Sequence, residues 1–510
     1  MKPVGIDLGT TNSAIAILDE FGKGEIVPVD SDRVTPSIVS FPTDENIVSV
    51  GRQAKNDLIS DPSSVVQHVK RDMGTNKTYS VREHEYNPQQ ISSFTLKRLY
   101  EYTKNEQGEI GPVVITVPAA FNEAQRQATM QAGELAGFNV GHIINEPTAA
   151  ALAYASSGNS LSGKVMIYDM GGGTFDVTIA KIENKDVNCI TSQGDLKLGG
   201  IDFDEAIYEI IRKQYRNEHK AELPDPDDEN GKHFEFLIKA EELKISLSKR
   251  EKAVTTIYGD SGPCRIEITR SEFEGAISTL IAKSEMLCET ALDDAGIKPS
   301  EIDNVILVGG STRIPAIRDS IKKLTGKDPL DNVNPDECVA IGAAIYSGLK
   351  SQDLTPAQKQ AMSDIAIKDV CGHFYGTKYL NVDEKTEIQE MAVKTLIKKD
   401  TPIPVEVSET FYTVYEDQDS VHIEITQAQE DVSDPAFVMV VHEGTFELPK
   451  GRPAQQPIKV TYRYTGNATM EAEFLDVNSK RKYLATLDME SIGGSTAELS
   501  AGVNDFEIED

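Results

Sequence analysis

The sequence predicts a two-lobed α/β domain followed by an all-β sandwich. Residues 4–18 and 166–180 share one plan: an apolar strand ending in an aspartate, a turn of Gly and Thr, and a second, alternating strand. Such a repeat predicts duplicated lobes whose two turns face each other across a cleft. After residue 351, strand-like runs separated by prolines replace the mixed pattern, which is typical of a sandwich.

The amino-acid composition argues against several classes of binding partner. The chain has 510 residues, with 51 basic and 82 acidic side chains and a formal charge of −31. This excess of negative charge disfavours nucleic acid and anionic membrane surfaces as partners. The five cysteines are scattered and odd in number, and the sequence shows neither a signal-like start nor a run long enough to span a bilayer. We therefore expect a cytosolic protein.

Helices and strands alternate through the first 350 residues. Capping-box spacing predicts helix starts at Asn122 with Gln125, Asp202 with Glu205, and Ser271 with Glu274. Short apolar runs predict buried strands at 113–117, 165–169 and 305–308. Further strands are predicted at 411–415, 421–425, 437–441 and 458–464. The expected organisation is an α/β domain at 1–350, a linker at 351–369, a sandwich at 370–505 and a frayed, solvated acidic tail at 506–510.

The two Gly/Thr turns are candidate phosphate loops. Small residues expose backbone N–H groups that wrap phosphate oxygens, and aspartates beside them suit a hydrated Mg²⁺. The turns are Gly9-Thr10-Thr11-Asn12 after Asp7 and Gly171-Gly172-Gly173-Thr174 after Asp169. The competing interpretation is that both are simple tight turns. A third turn, at 308–313, either admits a base or ribose or serves only helix packing.

These segments together resemble the 70-kDa heat-shock chaperone family, within the superfamily of actin, sugar kinases and chaperone ATPases. The resemblance rests on GIDLGTTNS at 5–13, VKRDMG at 69–74, ITVPAAFNEAQRQAT at 115–129, INEPTAAALAYA at 144–155, DMGGGTFDV at 169–177, LGGIDFD at 198–204, VGGSTRIP at 308–315 and NPDECVAIGAA at 334–344. Looser matches follow at 401–406, 411–421 and 443–449. The resemblance implies an actin-like ATPase domain that hydrolyses ATP to ADP. Hydrolysis would control a sandwich that binds extended apolar segments of unfolded proteins.

The resemblance also implies site residues. For the phosphates and their Mg²⁺ it implies Thr10, Thr11, Asn12, Gly171, Gly172, Gly173, Thr174, Gly199 and Gly200, with Asp7 and Asp169 binding the metal through water. For catalysis it implies Lys70, Glu146, Thr174 and Asp176, and for a relay between domains Pro118, Arg126 and Glu146. For adenosine it implies Glu241, Lys244, Ser248, Gly309, Gly310, Ser311, Arg313 and Asp336. It further implies K⁺ beside the phosphates, a J-domain co-chaperone and a nucleotide-exchange factor.

Peptide would bind in the sandwich, along an apolar slot. The matching positions are Phe411, Val414, Val421 and Ile423, although alternating strands would also supply these residues to the sandwich core. The sequence departs from the family at the linker, where 364–369 carries Lys368 instead of a leucine run, and at 371–379. We therefore expect altered coupling between domains. A helical lid is also expected to be missing, which predicts fast release of peptide in every nucleotide state.

Other functions remain open from the sequence. A nucleotide-dependent regulator that binds one dedicated protein partner fits the altered linker. A small-molecule kinase fits the superfamily, but the sandwich and the turn at 308–315 fit it poorly. An actin-like filament is consistent with the fold.

Overall fold

The computed structural model describes residues 1–42, 46–157, 162–183, 185–225, 233–382, 389–465, 470–486, 499–500, 503 and 506–509. This part of the chain is mixed α/β up to about residue 362, and its described residues between 366 and 486 lie mainly in β-strands, as the sequence predicts. No helix in these ranges is long and apolar enough to cross a membrane.

The first lobe is built on a sheet of order β11-β10-β1-β2-β3, with β4 beside β2. Its strands are β1 (Lys2–Asp7), β2 (Asn12–Leu18), β3 (Gly24–Ile26), β4 (Thr35–Pro36), β5 (Ile38–Ser40), β6 (Ile47–Val50), β7 (Val65–Gln67), β8 (Tyr79–Val81), β9 (His84–Tyr86), β10 (Ile110–Val117) and β11 (Val140–Asn145). Its helices are α1 (Arg52–Ser60), α2 (Pro88–Gln107), α3 (Glu123–Leu135) and α4 (Glu146–Ser156). Strand β1 runs antiparallel to β2 and parallel to β10.

The second lobe repeats this arrangement. Its elements are β12 (Gly163–Met170), β13 (Phe175–Glu183), β14 (Asp186–Asp195), α5 (Gly200–His219), α6 (Phe234–Leu247), β15 (Lys252–Gly259), β16 (Gly262–Thr269), α7 (Arg270–Ala276), α8 (Ser278–Asp294), β17 (Asn304–Val308) and α9 (Pro315–Thr325). Strand β12 runs antiparallel to β13 and parallel to β17, as β1 does with β2 and β10. Both predicted hairpins are therefore present, in equivalent positions of two related sheets.

Two predicted helix starts are wrong by two to three residues. Helix α3 begins as predicted, with Asn122 and Gln125 closing a capping box. Helix α5 instead begins at Gly200, directly after the turn that packs on the second Gly-rich loop, and Asp202 accepts from the Gly199 N–H at 2.7 Å. Helix α7 begins at Arg270 because the Thr269 hydroxyl, at the end of β16, already caps it.

Helices α4 and α10 (Cys338–Lys350) pack against each other between the lobes. Helix α10 also packs on β1 of the first lobe, and both helices share a buried cluster with strands of the second lobe. Helix α11 (Pro356–Met362) follows α10. Gly342 of α10 lies so close to the backbone of Ala149 in α4 that a Cβ would collide with it. The close approach buries the apolar face of α4 between the two sheets.

The C-terminal part consists of two four-stranded sheets around one apolar core. After β18 (Ala366–Val370) come β19 (Phe374–Val382), β20 (Gln389–Ile397), β21 (Pro402–Ile403), β22 (Val405–Tyr412), β23 (Ser420–Ala428), β24 (Met439–Glu447), β25 (Pro457–Tyr464), β26 (Met470–Asp476) and β27 (Lys482–Thr486). Single-turn 3₁₀ helices occur at Pro62–Ser64, Val69–Asp72, Pro299–Glu301, Gly310–Arg313 and Pro435–Phe437. The linker is docked, because β18 pairs in parallel with β14 of the second lobe.

The acidic tail differs from expectation. We expect residues 506–510 to be frayed and solvated, but Phe506 is buried, and β28 (Glu507–Ile508) pairs with β6 of the first lobe. The apolar residues of this segment find a pocket on the lobe, which a count of its charges does not reveal. Residue 510 lies outside the described ranges.

Candidate functional site

A cleft of about 620 Å³ lies between the two lobes, where the hairpin turns meet. Most of the sequence-predicted nucleotide residues line it: Asp7, Thr10, Thr11, Asn12, Asp169, Gly171, Gly172, Thr174, Gly200, Glu241, Lys244, Ser248, Gly309, Gly310, Ser311, Arg313 and Asp336. Lys70 and Glu146 line it as well. Gly173 and Gly199 are not in its wall: a Cβ on Gly199 would lie 2.7 Å from the backbone of Gly172, so Gly199 packs behind the loop.

The two Gly/Thr turns are in direct contact. A Cβ on Gly173 would lie 2.5 Å from the Thr10 side chain, and one on Gly172 would collide with Thr11. Only glycine allows this approach. The backbone N–H groups and hydroxyls of both turns therefore surround one volume, which suits a chain of phosphates.

Buried acids surround a single ammonium group on the floor of the cleft. Lys70, in the 3₁₀ turn Val69–Asp72, donates to Glu146 at the start of α4, with 2.5 Å between Nζ and Oε1, and each residue is only 6% exposed. Burial, together with the charge of Glu146, raises the pKa of Asp7 to about 7 and that of Asp176 to about 7. Burial and the same charge raise the pKa of Asp169 well above its usual range.

This donor set fits a hard divalent cation. Asp7, Asp169 and Glu146 line the cleft and offer carboxylate oxygens beside the ammonium group of Lys70, and a bound cation would offset the repulsion between these carboxylates. Burial disfavours the charged form of Lys70, but Glu146 and Asp7 outweigh this and raise its pKa. Lys70 therefore stays protonated beside them.

Ion pairs hold the side of the cleft that is formed by α6 and the turn Gly310–Arg313, where the sequence predicts adenosine. Lys244 of α6 donates to the Gly200 carbonyl at 3.0 Å and to Asp204 at 2.7 Å. Arg313 donates to Asp336 at 2.6 Å, placing a planar guanidinium at the mouth of the cleft. Planar cations of this kind stack on aromatic rings such as a purine base.

Sequence reasoning missed two residues that bridge the lobes. Lys55 of α1 pairs with Glu241 of α6 at 2.6 Å. Arg71 reaches from the first lobe to the Gly173 carbonyl at 2.9 Å and to Asp202 at 2.7 Å. Arg71 stands next to Lys70 in the VKRDMG segment, but its partners lie more than 100 residues away, so local spacing gave no signal.

The predicted relay residues extend from the cleft to the linker. The Ala120 N–H, in the loop after Pro118, donates to Asp176 at 3.3 Å. The buried Arg126 donates to the Ala119 and Phe121 carbonyls of that loop and, at 2.8 Å, to Asn145. Asp176 does not line the cleft but lies opposite Asp169 on the neighbouring strand. The loop therefore connects Asp176 to Asn145, which immediately precedes Glu146.

Asn145 and Thr148 then contact the linker. The Asn145 amide donates to Asp369 of β18 at 3.0 Å, and the Thr148 hydroxyl donates to the same carboxylate at 2.9 Å. Sequence reasoning missed all three residues. Asp369 marks the altered linker as a strand that docks on both lobes, through these hydrogen bonds and through β14.

The four predicted peptide residues lie in the sandwich, away from the cleft. Ile423 is 1% exposed and belongs to the sandwich core, as the alternative to a peptide-binding role predicts. Phe411 and Val421 are half-buried at the margin of this core, and Val414 is half-buried in the loop after β22.

Comparisons with known proteins agree on one family. A family model described as Hsp70 protein matches residues 3–496. Two similar proteins, one from each of two strains of Halobacterium salinarum, are both named chaperone protein DnaK. Each is 36% identical to this chain over an alignment that covers 100% of this chain and 77% of the relative.

Proposed function

Because this chain belongs to the Hsp70 family, we propose that the cleft between its lobes binds ATP with Mg²⁺ and that hydrolysis to ADP controls the sandwich. The chain is an ATP-dependent molecular chaperone of the 70-kDa heat-shock type and an ATPase. The observation that carries the residue assignments is the buried Lys70–Glu146 pair, set among three aspartates beside two touching phosphate loops.

The phosphates are assigned to the two turns. Thr10, Thr11 and Asn12 bind from the first lobe, and Gly171 to Thr174 bind from the second, with Gly199 and Gly200 holding the second turn in place. Asp7 and Asp169 would hold Mg²⁺ through its waters, and the ion would neutralise negative charge on the phosphates. K⁺ beside the phosphates is part of the same proposal.

Hydrolysis depends on positioning and charge, because the phosphoryl group moves to water with little covalent help from the protein. Lys70 donates to the attacking water and to the γ-phosphate oxygens, where negative charge grows. Thr174 and Asp176 orient the same water, and Glu146 holds the Lys70 ammonium group in place. Arg126, Asn145 and Asp369 then pass a change in the cleft to the linker.

The domain assignment follows from these roles. Residues 1–350 form an actin-like ATPase domain, 351–369 the linker and 370–505 the peptide-binding sandwich. Unfolded or extended polypeptides are the clients, bound near Phe411 and Val421. A J-domain co-chaperone and a nucleotide-exchange factor are further proposed partners. The cytosol is the proposed compartment, since all five cysteines are free and buried.

The experiment follows the release of a labelled, extended apolar peptide from the full chain by fluorescence anisotropy. Mg²⁺-ATP is expected to accelerate dissociation relative to Mg²⁺-ADP in the wild-type chain. Lys70→Ala is expected to keep ATP-triggered release while losing hydrolysis. Equal dissociation with both nucleotides would contradict the proposed coupling.

A further inference from the structure

The last described residues of the chain add a strand to the first lobe. Glu507 pairs with Ile47 and Ile508 with Val48, both in parallel register, at the edge of a small sheet of order β28-β6-β5-β7. The Glu507 N–H donates to the Asn46 carbonyl at 2.9 Å. The Glu509 N–H donates to the Val48 carbonyl at 3.0 Å. An exposed strand edge readily accepts an extended segment in this way.

An aromatic pocket fixes the register of this strand. The Phe506 ring is 8% exposed and packs against Phe41, Tyr86 and Phe94, with centroid distances of 5.8, 6.3 and 5.6 Å. Val503 is fully buried in the same cluster. Three rings around a fourth give a large apolar contact with a defined geometry. The pocket therefore selects a segment that carries an aromatic side chain at the position of Phe506, which acidic residues alone would not provide.

Polar contacts surround the pocket. Lys97 of α2 donates to the Phe506 carbonyl at 2.8 Å, and the Gln90 amide donates to the Leu499 carbonyl at 3.1 Å. The Ser49 hydroxyl donates to the Glu509 carboxylate. The lobe thus binds both the backbone and the side chains of this segment.

The segment and the linker form their backbone strand pairings with different lobes. Strand β18, which enters the sandwich, pairs with β14 of the second lobe, whereas β28, beyond the last sandwich strand, pairs with β6 of the first. The nucleotide cleft lies between these lobes. A rotation of one lobe against the other therefore moves the β6 edge relative to β14.

We propose that Leu499, Ser500, Val503 and residues 506–509 form a strap, which docks in cis on the β6 edge and the aromatic pocket and ties the sandwich to the first lobe. The pairing of the strap with β6 on the first lobe corresponds to the pairing of β18 with β14 on the second lobe. It contains none of the residues assigned to nucleotide or peptide, so it acts on domain docking and leaves the chemistry of the cleft unchanged.

Hydrogen–deuterium exchange on the full chain tests the strap. Phe506→Ala empties the pocket and is expected to speed exchange at the Glu507 and Glu509 amides by at least ~10-fold, since removing a buried aromatic ring is among the costliest truncations. Glu507→Gln is the matched control, because its side chain is exposed and its backbone pairing is unchanged. Lys97→Ala removes one hydrogen bond to the Phe506 carbonyl and is expected to give a smaller increase of a few-fold.

A tie between domains has a further consequence. If the strap holds the sandwich, Phe506→Ala also raises exchange in β18, while β1 in the lobe core keeps its protection. Unprotected Glu507 and Glu509 amides in the wild-type chain would overturn the docked strand. Faster exchange in the strap with unchanged β18 would overturn the tie. Neither readout depends on ATP hydrolysis, so failure of the proposed function would not be mistaken for failure of the strap.

Discussion

Asp369→Ala should release the linker from the ATPase lobes. In β18 this carboxylate accepts hydrogen bonds from the buried Asn145 amide and from the buried Thr148 hydroxyl, at 3.0 and 2.9 Å. Burial raises the pKa of Asp369, while the Val370 N–H, which donates to the other carboxylate oxygen at 2.8 Å, these two donors and the charge of Arg126 oppose the rise. Alanine removes the acceptor and leaves both donors without it.

The size of the effect follows from the two donors. Each buried donor left unpaired costs about 1–3 kcal/mol, and Asp369 is only partly buried, so we take the lower half of that range for each. The docked linker then loses about 3 kcal/mol. This is a shift of roughly 10²-fold in the ratio of docked to released linker. Asp369→Asn keeps one acceptor oxygen and is expected to fall between wild type and alanine.

The assay is hydrogen–deuterium exchange in β18, in the nucleotide state that protects it best. Lys368→Ala is the control, because Lys368 is its exposed neighbour in the same strand. We expect exchange in β18 to rise about 10²-fold for Asp369→Ala and to stay unchanged for Lys368→Ala. ATP-triggered peptide release should weaken in parallel. Equal protection in the Asp369→Ala and wild-type chains would refute the view that Asn145 and Thr148 hold the linker through this carboxylate.

Three further outcomes are expected. Lys70→Ala should keep ATP affinity within a few-fold but lose most single-turnover hydrolysis, and unchanged turnover would remove this lysine from the mechanism. Lys55→Ala breaks a half-exposed pair with Glu241 across the cleft, so nucleotide should dissociate about 2–5-fold faster at low salt, a difference that high salt should remove. Burial and the nearby Arg126 lower the pKa of His373 to about 3, so only the unfolded chain gains its proton as the pH falls below about 6.5. The sandwich should therefore lose about 2 kcal/mol between pH 7 and pH 5 in urea titrations, and His373→Gln should flatten this loss; the same slope in both chains would contradict it.

Much of the fold was predictable because the signals are local. The two hairpins depend on alternation and on Gly/Thr turns, and each forms from one short stretch of chain, residues 2–18 and residues 163–183. The start of α3 depends on two side chains three residues apart. At α5 and α7 the preceding turn or strand decides where the helix begins, so the capping-box spacing predicted a start that is too late in the sequence.

The sequence by itself determined the chemistry of the cleft: two glycine-rich turns, each preceded by an aspartate, with a lysine and a glutamate in recognisable segments. Only the tertiary structure decided how these parts are connected. Pairs such as Arg71 with Asp202, and Asn145 with Asp369, join residues 131 and 224 positions apart. Tertiary packing also put Ile423 in the core and Phe506 in an aromatic pocket. The physical reason is that burial and long-range pairing belong to surfaces made when elements pack, whereas turns and helix caps are made by a few adjacent residues.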